Sequence, residues 1–184
     1  MTAEYVVLLD DDGRPIGQAL KTEVHTASTP LHLAFSCYGF DGSNRLLLTR
    51  RAESKLTFPG VWTNTCCGHP VPGERPEDAV RRRLRDELGV TAQHVVCALP
   101  DFRYRAEMNG IEENEVCPVF LCRITAEPEP SPDEVAEARW ISWDDYVVMA
   151  LSPGSELSPW SVEQVAELLE SGMVERFLQD DSAR

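Results

Sequence analysis

Apolar residues cluster in five stretches within the first two thirds of the chain, separated by turn-forming residues. The stretches favour β-strands, and sequences such as DDG at 11–13 and FDGSN at 40–44 punctuate them. The pattern predicts strands at 5–9, 31–40, 45–49, 95–105 and 116–124, with a weaker candidate at 136–141.

Three segments have helical patterns, at 75–88, 142–151 and 159–169. The first has Pro76 for its opening turn, acidic residues that complement the helix dipole, and Gly89 to end it. The second opens on Ser142, followed by Asp144 and Asp145, which is a loose capping pattern. The order of these elements along the chain is strands, one internal helix, more strands and terminal helices. This order predicts an α/β fold with a mixed sheet sandwiched between helices.

The length of 184 residues matches one domain with one sizeable core, so we expect a single domain over 1–184. Acidic residues number 31 against 17 basic ones, and the formal net charge is −14 at pH 7. Because proteins that bind nucleic acids or anionic membranes usually present basic surfaces, we expect neither partner here. A small anionic substrate would need a local basic pocket.

The hydropathy of the chain and its amino terminus predict a cytoplasmic protein. No apolar run reaches the ~18 residues of a membrane-spanning helix, and MTAEYVVLLDDDG lacks the basic region and long apolar core of a signal peptide. The six cysteines are too few for a disulfide framework in a chain of this length. We therefore expect thiols, most of which fill the core.

The acidic run at 112–115 is a candidate metal site. If this run is extended, Glu113 and Glu115 project from one face, and Glu112 and Asn114 project from the other. Two carboxylates combined with imidazoles suit a divalent ion such as Mn²⁺, Fe²⁺, Co²⁺ or Zn²⁺, and suit Mg²⁺ or Ca²⁺ less well. The alternative is a solvated acidic turn. Three of the four histidines lie near other polar candidates, and these are His25, His32 and His69.

Two other features of the chain concern a cysteine pair and the remaining histidine. The segment 59–70, PGVWTNTCCGHP, carries adjacent cysteines before a glycine. Adjacent side chains of an extended segment point to opposite sides, so at most one of Cys66 and Cys67 faces a site. His94 lies in a plain helix-to-strand connection and has no functional neighbours in the sequence.

The loop and helix that follow carry most of a Nudix box, G-x5-E-x7-R-E-U-x-E-E-x-G-U, where U is apolar. Arg83 stands where the box has its first glutamate after arginine, and Asp86 replaces the next one. An arginine repels a cation and attracts phosphate, so the hydrolytic metal cluster of the box is dismantled, and Glu87 is left to hold one Mg²⁺. The matching residues are Gly68, Glu74, Arg82, Glu87 and Gly89.

The sequence resembles the type I isopentenyl-diphosphate isomerase family, a branch of the Nudix superfamily, over about 4–170. The resemblance is carried by HTASTPLHLAFS, LLLTRRAESKLTFPGVWTNTCCGHP, PDFRYRA, GIEENEVCPVF and SPW, in the order of the family. It implies a Nudix-like α/β fold and metal-dependent isomerisation of isopentenyl diphosphate to dimethylallyl diphosphate, a step in isoprenoid precursor biosynthesis.

The resemblance also implies roles for particular residues. Cys67 and Glu115 are the acid–base pair, while Tyr104 and Trp160 line the hydrocarbon end. One divalent metal, Mn, Mg or Zn, is held by His25, His32, His69, Glu113 and Glu115. A Mg²⁺ on the diphosphate is held by Glu87, and the diphosphate oxygens are bound by Lys21, Arg51, Lys55 and Arg83.

The implied roles agree with the chemistry of these residues. Double-bond migration passes through a cation, which an aromatic face such as that of Trp160 stabilises without capturing it; ordinary packing is the alternative role for Trp160. Of the 17 basic residues, only Lys21 and Lys55 are lysines, so a compact ammonium is expected at both positions. The arginines at 81–83 could equally form a solvated helix face.

The same scaffold allows two rival functions and leaves the assembly open. One rival is a Nudix hydrolase of nucleoside diphosphate derivatives, which needs the carboxylate cluster that Arg83 disrupts. The other is a catalytically silent metal-binding or ligand-sensing module, which would be expected to lose Cys67 or Glu115, and both are present. We expect a small-molecule diphosphate as the partner and a monomer or a homodimer.

Overall fold

The computed structural model of the protein describes residues 3–180, which form two mixed β-sheets and a set of helices. None of the helices in this range is long and apolar enough to cross a membrane. The helices are α1 (Lys21–Val24), α2 (Pro76–Leu88), α3 (Trp143–Leu151), α4 (Pro159–Ser171) and α5 (Met173–Gln179).

The strands divide between the two sheets. One sheet has the order β2-β1-β3-β10-β9, and the other has the order β12-β5-β4-β11-β8, with β6 paired to β5 and β7 paired to β4. The strands are β1 (Tyr5–Leu9), β2 (Pro15–Leu20), β3 (His32–Leu33), β4 (Phe35–Phe40), β5 (Arg45–Arg51), β6 (Trp62–Thr63), β7 (Cys66–Gly68), β8 (Ala92–Leu99), β9 (Arg103–Met108), β10 (Ile111–Val116), β11 (Val119–Ile124) and β12 (Val135–Ser142).

Two chain segments run side by side from the first sheet into the second. β3 is parallel to β10, with His32 opposite Glu115, and β4 is parallel to β11, with Ser36 opposite Val119. The amide of Ala34, at the crossing, donates to the carbonyl of Val116. This crossing brings a histidine and a carboxylate from distant parts of the sequence into register.

The second sheet is sandwiched between helices, which confirms the predicted fold class. Leu47 packs in a cluster with Leu84 of α2, while Leu46 and Leu48 pack in a cluster with Val165 of α4. Alternate residues of one strand are thus buried on opposite faces of the sheet, as a strand covered on both sides requires. The structure differs from the prediction in having two mixed sheets.

Helix boundaries agree closely with the pattern of the sequence. α2 begins at Pro76 and ends before Gly89, whose φ of 67° is the left-handed conformation that glycine adopts easily. Ser142 caps α3 by accepting a hydrogen bond from the amide of Asp145. α4 continues two residues beyond the predicted end, to Ser171, and closes at Gly172.

Three of the predicted strands are wrong in their continuity. The segment 116–124 is interrupted at Cys117 and Pro118, so that Val116 ends β10 in one sheet and β11 lies in the other. The segment 31–40 is interrupted at Ala34, where the chain leaves one sheet for the other. The segment 95–105 is divided by a turn at 100–101, so that β8 and β9 lie in different sheets. Hydrophobic periodicity is similar on both sides of each break, so it does not reveal a change of sheet.

Two further corrections concern β2 and His94. β2 is absent from the predicted strands because most of its residues are exposed, which leaves no apolar alternation to detect. His94 lies inside β8 and not in a plain connection; its φ of 46° coincides with a shift of register between β8 and β11. An irregularity of this kind is a property of the strand pairing and has no local signature.

Candidate active site

Four side chains converge into a group that could hold a metal ion. Their ligand atoms all lie within 4.8 Å of one another, and the group consists of His25, His32, His69 and Glu115. Nε2 of His69 is 3.0 Å from Oε1 of Glu115 and 3.2 Å from Nε2 of His32. Nε2 of His32 is 3.3 Å from the same carboxylate oxygen.

Separate elements supply the members of this group. His25 follows α1 directly, and His69 follows β7 directly. His32 on β3 and Glu115 on β10 face each other through the parallel pairing of these strands. The site therefore depends on both sheets and on the loop after α1, although its residues are spread over some ninety positions of the chain.

The hydrogen bonds of the histidines suit a metal. Nδ1 of His32 donates to the carbonyl of Pro30 at 2.9 Å, which fixes the orientation of the ring and directs its Nε2 at the group. Nε2 of His25 and Nδ1 of His69 are buried and have no hydrogen-bond partner within residues 3–180. Buried nitrogens without partners are costly unless a ligand satisfies them, and three imidazoles with one carboxylate suit a divalent ion of borderline character.

Burial and charge set the protonation of the group. Burial lowers the pKa of His25 and that of His69 to about 4, so both imidazoles are neutral near pH 7, as metal ligation requires. Burial alone would raise the pKa of Glu115, but its hydrogen bonds to His32 and His69 outweigh burial and hold that pKa well below its usual range. The carboxylate is ionised. Burial also acts to lower the pKa of His32, but Glu115 outweighs it and raises that pKa.

Glu113 lies beside the group and is not one of its four members. Its Oε2 accepts a 2.6 Å hydrogen bond from the hydroxyl of Tyr104, and burial together with the nearby Glu115 raises its pKa. Asn114 projects from the other face of β10 and donates to the carbonyl of Thr29. The run at 112–115 is thus an extended strand with alternating faces, as predicted, and not a solvated turn.

Cys67 faces the site, and Cys66 faces the core. The thiol of Cys67 donates to Oδ1 of Asn64 at 3.1 Å, and its sulfur lies 3.4 Å from the hydroxyl oxygen of Ser36. Burial raises the pKa of Cys67 to about 11, so the group is a thiol near pH 7. Cys66 packs among the apolar residues that contact α2, such as Leu84. Cys67 lines the large cavity at the site, whereas Cys66 reaches only the small cavity beside Glu87.

One cavity of about 1170 Å³ joins most of the predicted site residues. His32 and Glu87 are not among its lining residues; Glu87 instead lines an adjoining cavity of about 20 Å³ together with Lys55 and Glu134. The predicted residues that line the large cavity are Lys21, His25, Arg51, Lys55, Cys67, His69, Arg83, Tyr104, Glu113, Glu115 and Trp160.

Basic side chains gather at one side of this cavity, and most are paired with carboxylates. Nε of Arg83 donates to Oε1 of Glu87 at 2.7 Å, and its NH2 lies 3.2 Å from Oε1 of Glu134. Nζ of Lys55 also donates to Glu134. Sequence reasoning missed Glu134, because nothing distinguishes it from the other acidic residues of the Pro-rich loop at 126–134.

The remaining two basic residues have other partners. Lys21 donates to Oε2 of Glu4 at 2.7 Å. Arg51 donates through Nε and NH2 to the backbone carbonyls of Thr57 and Phe58, and its guanidinium lies 5.8 Å from the centre of the Trp160 ring. Arg51 therefore has a fixed position between the basic and aromatic sides of the cavity.

The aromatic side of the cavity is built on Trp160, whose side chain is 1% exposed. Its Nε1 donates to Oγ1 of Thr63 at 3.1 Å and to Oδ1 of Asn64 at 3.2 Å. The ring of Tyr104 lies 5.4 Å from it between centroids, and that of Phe58 lies 5.0 Å away in an edge-on arrangement. The sequence did not single out Phe58, whose φ of 47° is set by its loop.

Fold and site together define a protein of the Nudix class. The sequence model of the NUDIX domain matches residues 30–161. A crystal structure from Deinococcus radiodurans is similar with a TM-score of 0.69 and 19% identity, over 89% of this chain and 98% of that one. The MutT protein from Methanosarcina mazei Go1 is similar with a TM-score of 0.62 and 21% identity, over 78% of this chain and 96% of that one. At these identities the structural matches concern the fold alone.

Curated relatives define the branch of this class. A protein of Mycolicibacterium vanbaalenii is 58% identical over 95% of this chain and 97% of its own length, and one of Saccharopolyspora erythraea is 53% identical over 92% and 88%. Both are named isopentenyl-diphosphate Delta-isomerase. The chain belongs to the isopentenyl-diphosphate Delta-isomerase family of Nudix-domain proteins, as the sequence motifs predict.

Proposed function

We propose that the protein interconverts isopentenyl diphosphate and dimethylallyl diphosphate by a protonation and a deprotonation at neighbouring carbons. The observation that carries the proposal is that Cys67 and Glu115 border one cavity with a basic side and an aromatic side. A charged diphosphate and a small hydrocarbon need such opposite surroundings. The names of the curated relatives support the same reaction.

The proposed orientation of the substrate follows from charge. The diphosphate lies against Lys21, Arg51, Lys55 and Arg83, with a Mg²⁺ held by Glu87. Carboxylates pair with Lys55 and Arg83 and hold these basic side chains in place before the substrate enters. The diphosphate oxygens would then replace those carboxylates as partners. The hydrocarbon then points towards Tyr104 and Trp160, whose rings offer an electron-rich face to a cationic carbon.

The two proton transfers are assigned to Cys67 and Glu115. With one group a thiol and the other a carboxylate, the pair carries one proton between them, so one can give a proton while the other accepts one. Exclusion of water from the aromatic side would protect the cationic carbon from capture, and Trp160 on that side is buried. Tyr104 is held in place by its hydrogen bond to Glu113.

The proposed metal ligands are His25, His32, His69 and Glu115, with Glu113 beside them as the fifth predicted ligand. A bound Mn, Mg or Zn ion would supply positive charge that polarises the carboxylate of Glu115 and orients it. The three imidazoles favour Mn or Zn over Mg in this position, whereas Mg suits the diphosphate oxygens.

The proposal extends to the setting of the protein. We infer a single catalytic domain over 1–184 that works in the cytoplasm as a monomer or a homodimer. A small diphosphate is its partner, and the formal net charge of −14 opposes binding to nucleic acids or to anionic membranes. Basic residues gathered in one cavity supply the local attraction that an anionic substrate needs.

The test is an assay of the purified protein with isopentenyl diphosphate, in which dimethylallyl diphosphate is followed by nuclear magnetic resonance. We expect turnover that EDTA abolishes and that added Mn²⁺ or Mg²⁺ restores. Phosphate release from nucleoside diphosphate derivatives would instead indicate a hydrolase, and metal or ligand binding without turnover would indicate a silent module. Either result would overturn the proposal.

A further inference from the structure

The sulfur of Cys67 contacts two fully buried polar side chains that the proposed reaction does not yet use. They are Asn64 and Ser36, and neither has any exposed surface. β7 pairs with β4 so that Cys67 stands directly opposite Ser36. Burying polar groups in a core is unfavourable unless each hydrogen bond is made, so the direction of each bond can be worked out.

The amide of Asn64 has a determined orientation. Its Nδ2 donates to the backbone carbonyls of Cys37 and Cys66 at 3.0 Å and 2.9 Å. Since a carbonyl oxygen only accepts, the amide nitrogen must lie on that side, and Oδ1 must face Cys67. Oδ1 can only accept a hydrogen bond, so the thiol proton of Cys67 is directed at Asn64.

The hydroxyl of Ser36 has the opposite role at the same sulfur. Nε2 of Gln164 donates to Oγ of Ser36 at 2.9 Å, while Oε1 of Gln164 accepts from the hydroxyl of Tyr38 at 2.9 Å. Sγ of Cys117 lies 3.4 Å from the same hydroxyl oxygen and can donate its thiol proton to it. When Cys117 is the donor in this contact, both lone pairs of Ser36 are occupied, and its own proton points to the sulfur of Cys67 at 3.4 Å.

We propose that Ser36 is a positioning residue for Cys67: its hydroxyl donates to the sulfur whenever the sulfur carries no proton during the reaction. The inference rests on the proposed function. When sulfur gives its proton to a carbon, the S–H bond breaks, a C–H bond forms and the electron pair stays on sulfur. When sulfur removes a proton from a carbon, each change is reversed.

In both directions one form of Cys67 has a negative sulfur. Asn64 makes no hydrogen bond to the negative sulfur, because its Oδ1 presents only lone pairs. The hydroxyl of Ser36 stabilises the negative sulfur more than it stabilises the thiol, because a hydrogen bond to a charged acceptor is about twice as strong as one to a neutral acceptor. Ser36 therefore acts on the step at sulfur and not on the binding of the diphosphate.

The chain offers a matched control. Ser161 is also fully buried, and it belongs to the same group of polar side chains through its contacts with Asn64, Thr63 and Ser158. No hydrogen bond joins Ser161 to Cys67 among residues 3–180. Replacing either serine by alanine removes one buried hydroxyl of the same size, and only one of the two replacements removes a contact with the sulfur.

The experiment compares Ser36→Ala, Ser161→Ala and the wild type by steady-state kinetics with isopentenyl diphosphate, by metal content and by thermal denaturation. For Ser36→Ala we expect kcat to fall about 10- to 100-fold, the range for removing a hydrogen bond to a charged atom, with KM changed less than about twofold. For Ser161→Ala we expect a similar loss of melting temperature and a kcat within about threefold of the wild type.

The outcomes separate this inference from the proposed function. An inactive wild type would overturn the proposed function. An active wild type whose kcat falls no further with Ser36→Ala than with Ser161→Ala would overturn the role of Ser36 alone. A Ser36→Ala protein that loses activity through a raised KM or through lost metal would overturn that role as well. A second variant, Gln164→Met, keeps Ser36 but removes the donor behind it, and it should lower kcat by a smaller factor.

Discussion

Arg83 donates a 2.7 Å hydrogen bond from Nε to Oε1 of Glu87, one turn further along α2. Both side chains are buried. The carboxylate of Glu87, which the helix retains from the Nudix pattern, is therefore neutralised by the residue that replaces another carboxylate. An ion pair attracts a bare cation less than a group of carboxylates does, which supports a metal that arrives together with the diphosphate.

Glu87→Gln tests this relationship. We expect the Mg²⁺ concentration for half-maximal rate to rise about tenfold, because a neutral amide replaces the carboxylate that we propose as the ligand of the ion. The measurement is the initial rate at a series of Mg²⁺ concentrations. Asp86→Asn is the control, because Asp86 is the exposed neighbour on the same helix and should leave the Mg²⁺ dependence unchanged. Equal shifts in the two variants would remove Glu87 from the site.

Cys67→Ala should abolish isomerisation, whereas Cys66→Ala should retain most of it. Only Cys67 lines the large cavity, whereas Cys66 packs against α2 and reaches only the small adjoining cavity. Losing the sulfur of Cys66 should lower the free energy of unfolding by about 1 kcal/mol. Initial rates and thermal denaturation measure the two effects. Equal losses of rate in two folded variants would contradict the role of Cys67.

His69→Ala should lower bound metal and activity together, because His69 belongs to the four-residue group. Metal content by mass spectrometry is the measurement. His94→Asn is the control; asparagine tolerates the positive φ of this position, and His94 lies away from the group, 3.7 Å from Asp180. Full metal occupancy in the His69 variant would exclude His69 as a ligand.

Trp160→Leu should lower kcat about 30-fold with little change of KM, since a cation–π contribution of ~2 kcal/mol acts only on the cationic state. Trp160→Phe should fall between, because phenylalanine keeps a weaker aromatic face and loses the indole N–H bonds to Thr63 and Asn64. Steady-state kinetics with circular dichroism is the measurement. Identical losses in both variants would assign Trp160 to packing.

Lys55→Ala should raise KM more than it lowers kcat, because the diphosphate lies away from the reacting carbons. Glu134 would also lose one of its two cationic partners, which adds repulsion against the diphosphate. Arg50→Ala is a suitable control; Arg50 pairs with Glu53 at the surface and does not line the cavity. An unchanged KM in the Lys55 variant would contradict this contact.

Local sequence patterns predicted the helices and strands whose ends are set by residues adjacent in the sequence. Pro76 and Gly89 mark the ends of α2 because proline suits the first turn and glycine suits a left-handed residue. The break at Ala34 and the division of 95–105 were missed, because they depend on which sheet each half joins. Strand pairing is a long-range property, so alternation along one segment carries no record of it.

The sequence by itself determined the family, the fold class and the chemical types in the site. Motifs bring a thiol, carboxylates, imidazoles and basic residues together in one pattern, and that pattern is visible without coordinates. Alternation along an extended strand also separated Glu113 and Glu115 from their neighbours, and it separated Cys67 from Cys66. These inferences need only the geometry of adjacent residues.

Only the tertiary structure decided which partners these groups have. It brought Glu115 together with three imidazoles, paired Glu113 with Tyr104, and placed Ser36 and Asn64 on the sulfur of Cys67. Ionisation and hydrogen-bond direction depend on burial and on atoms about 3 Å away, which come from residues distant in sequence. The protonation states of Cys67 and Glu115 are therefore a property of the folded chain.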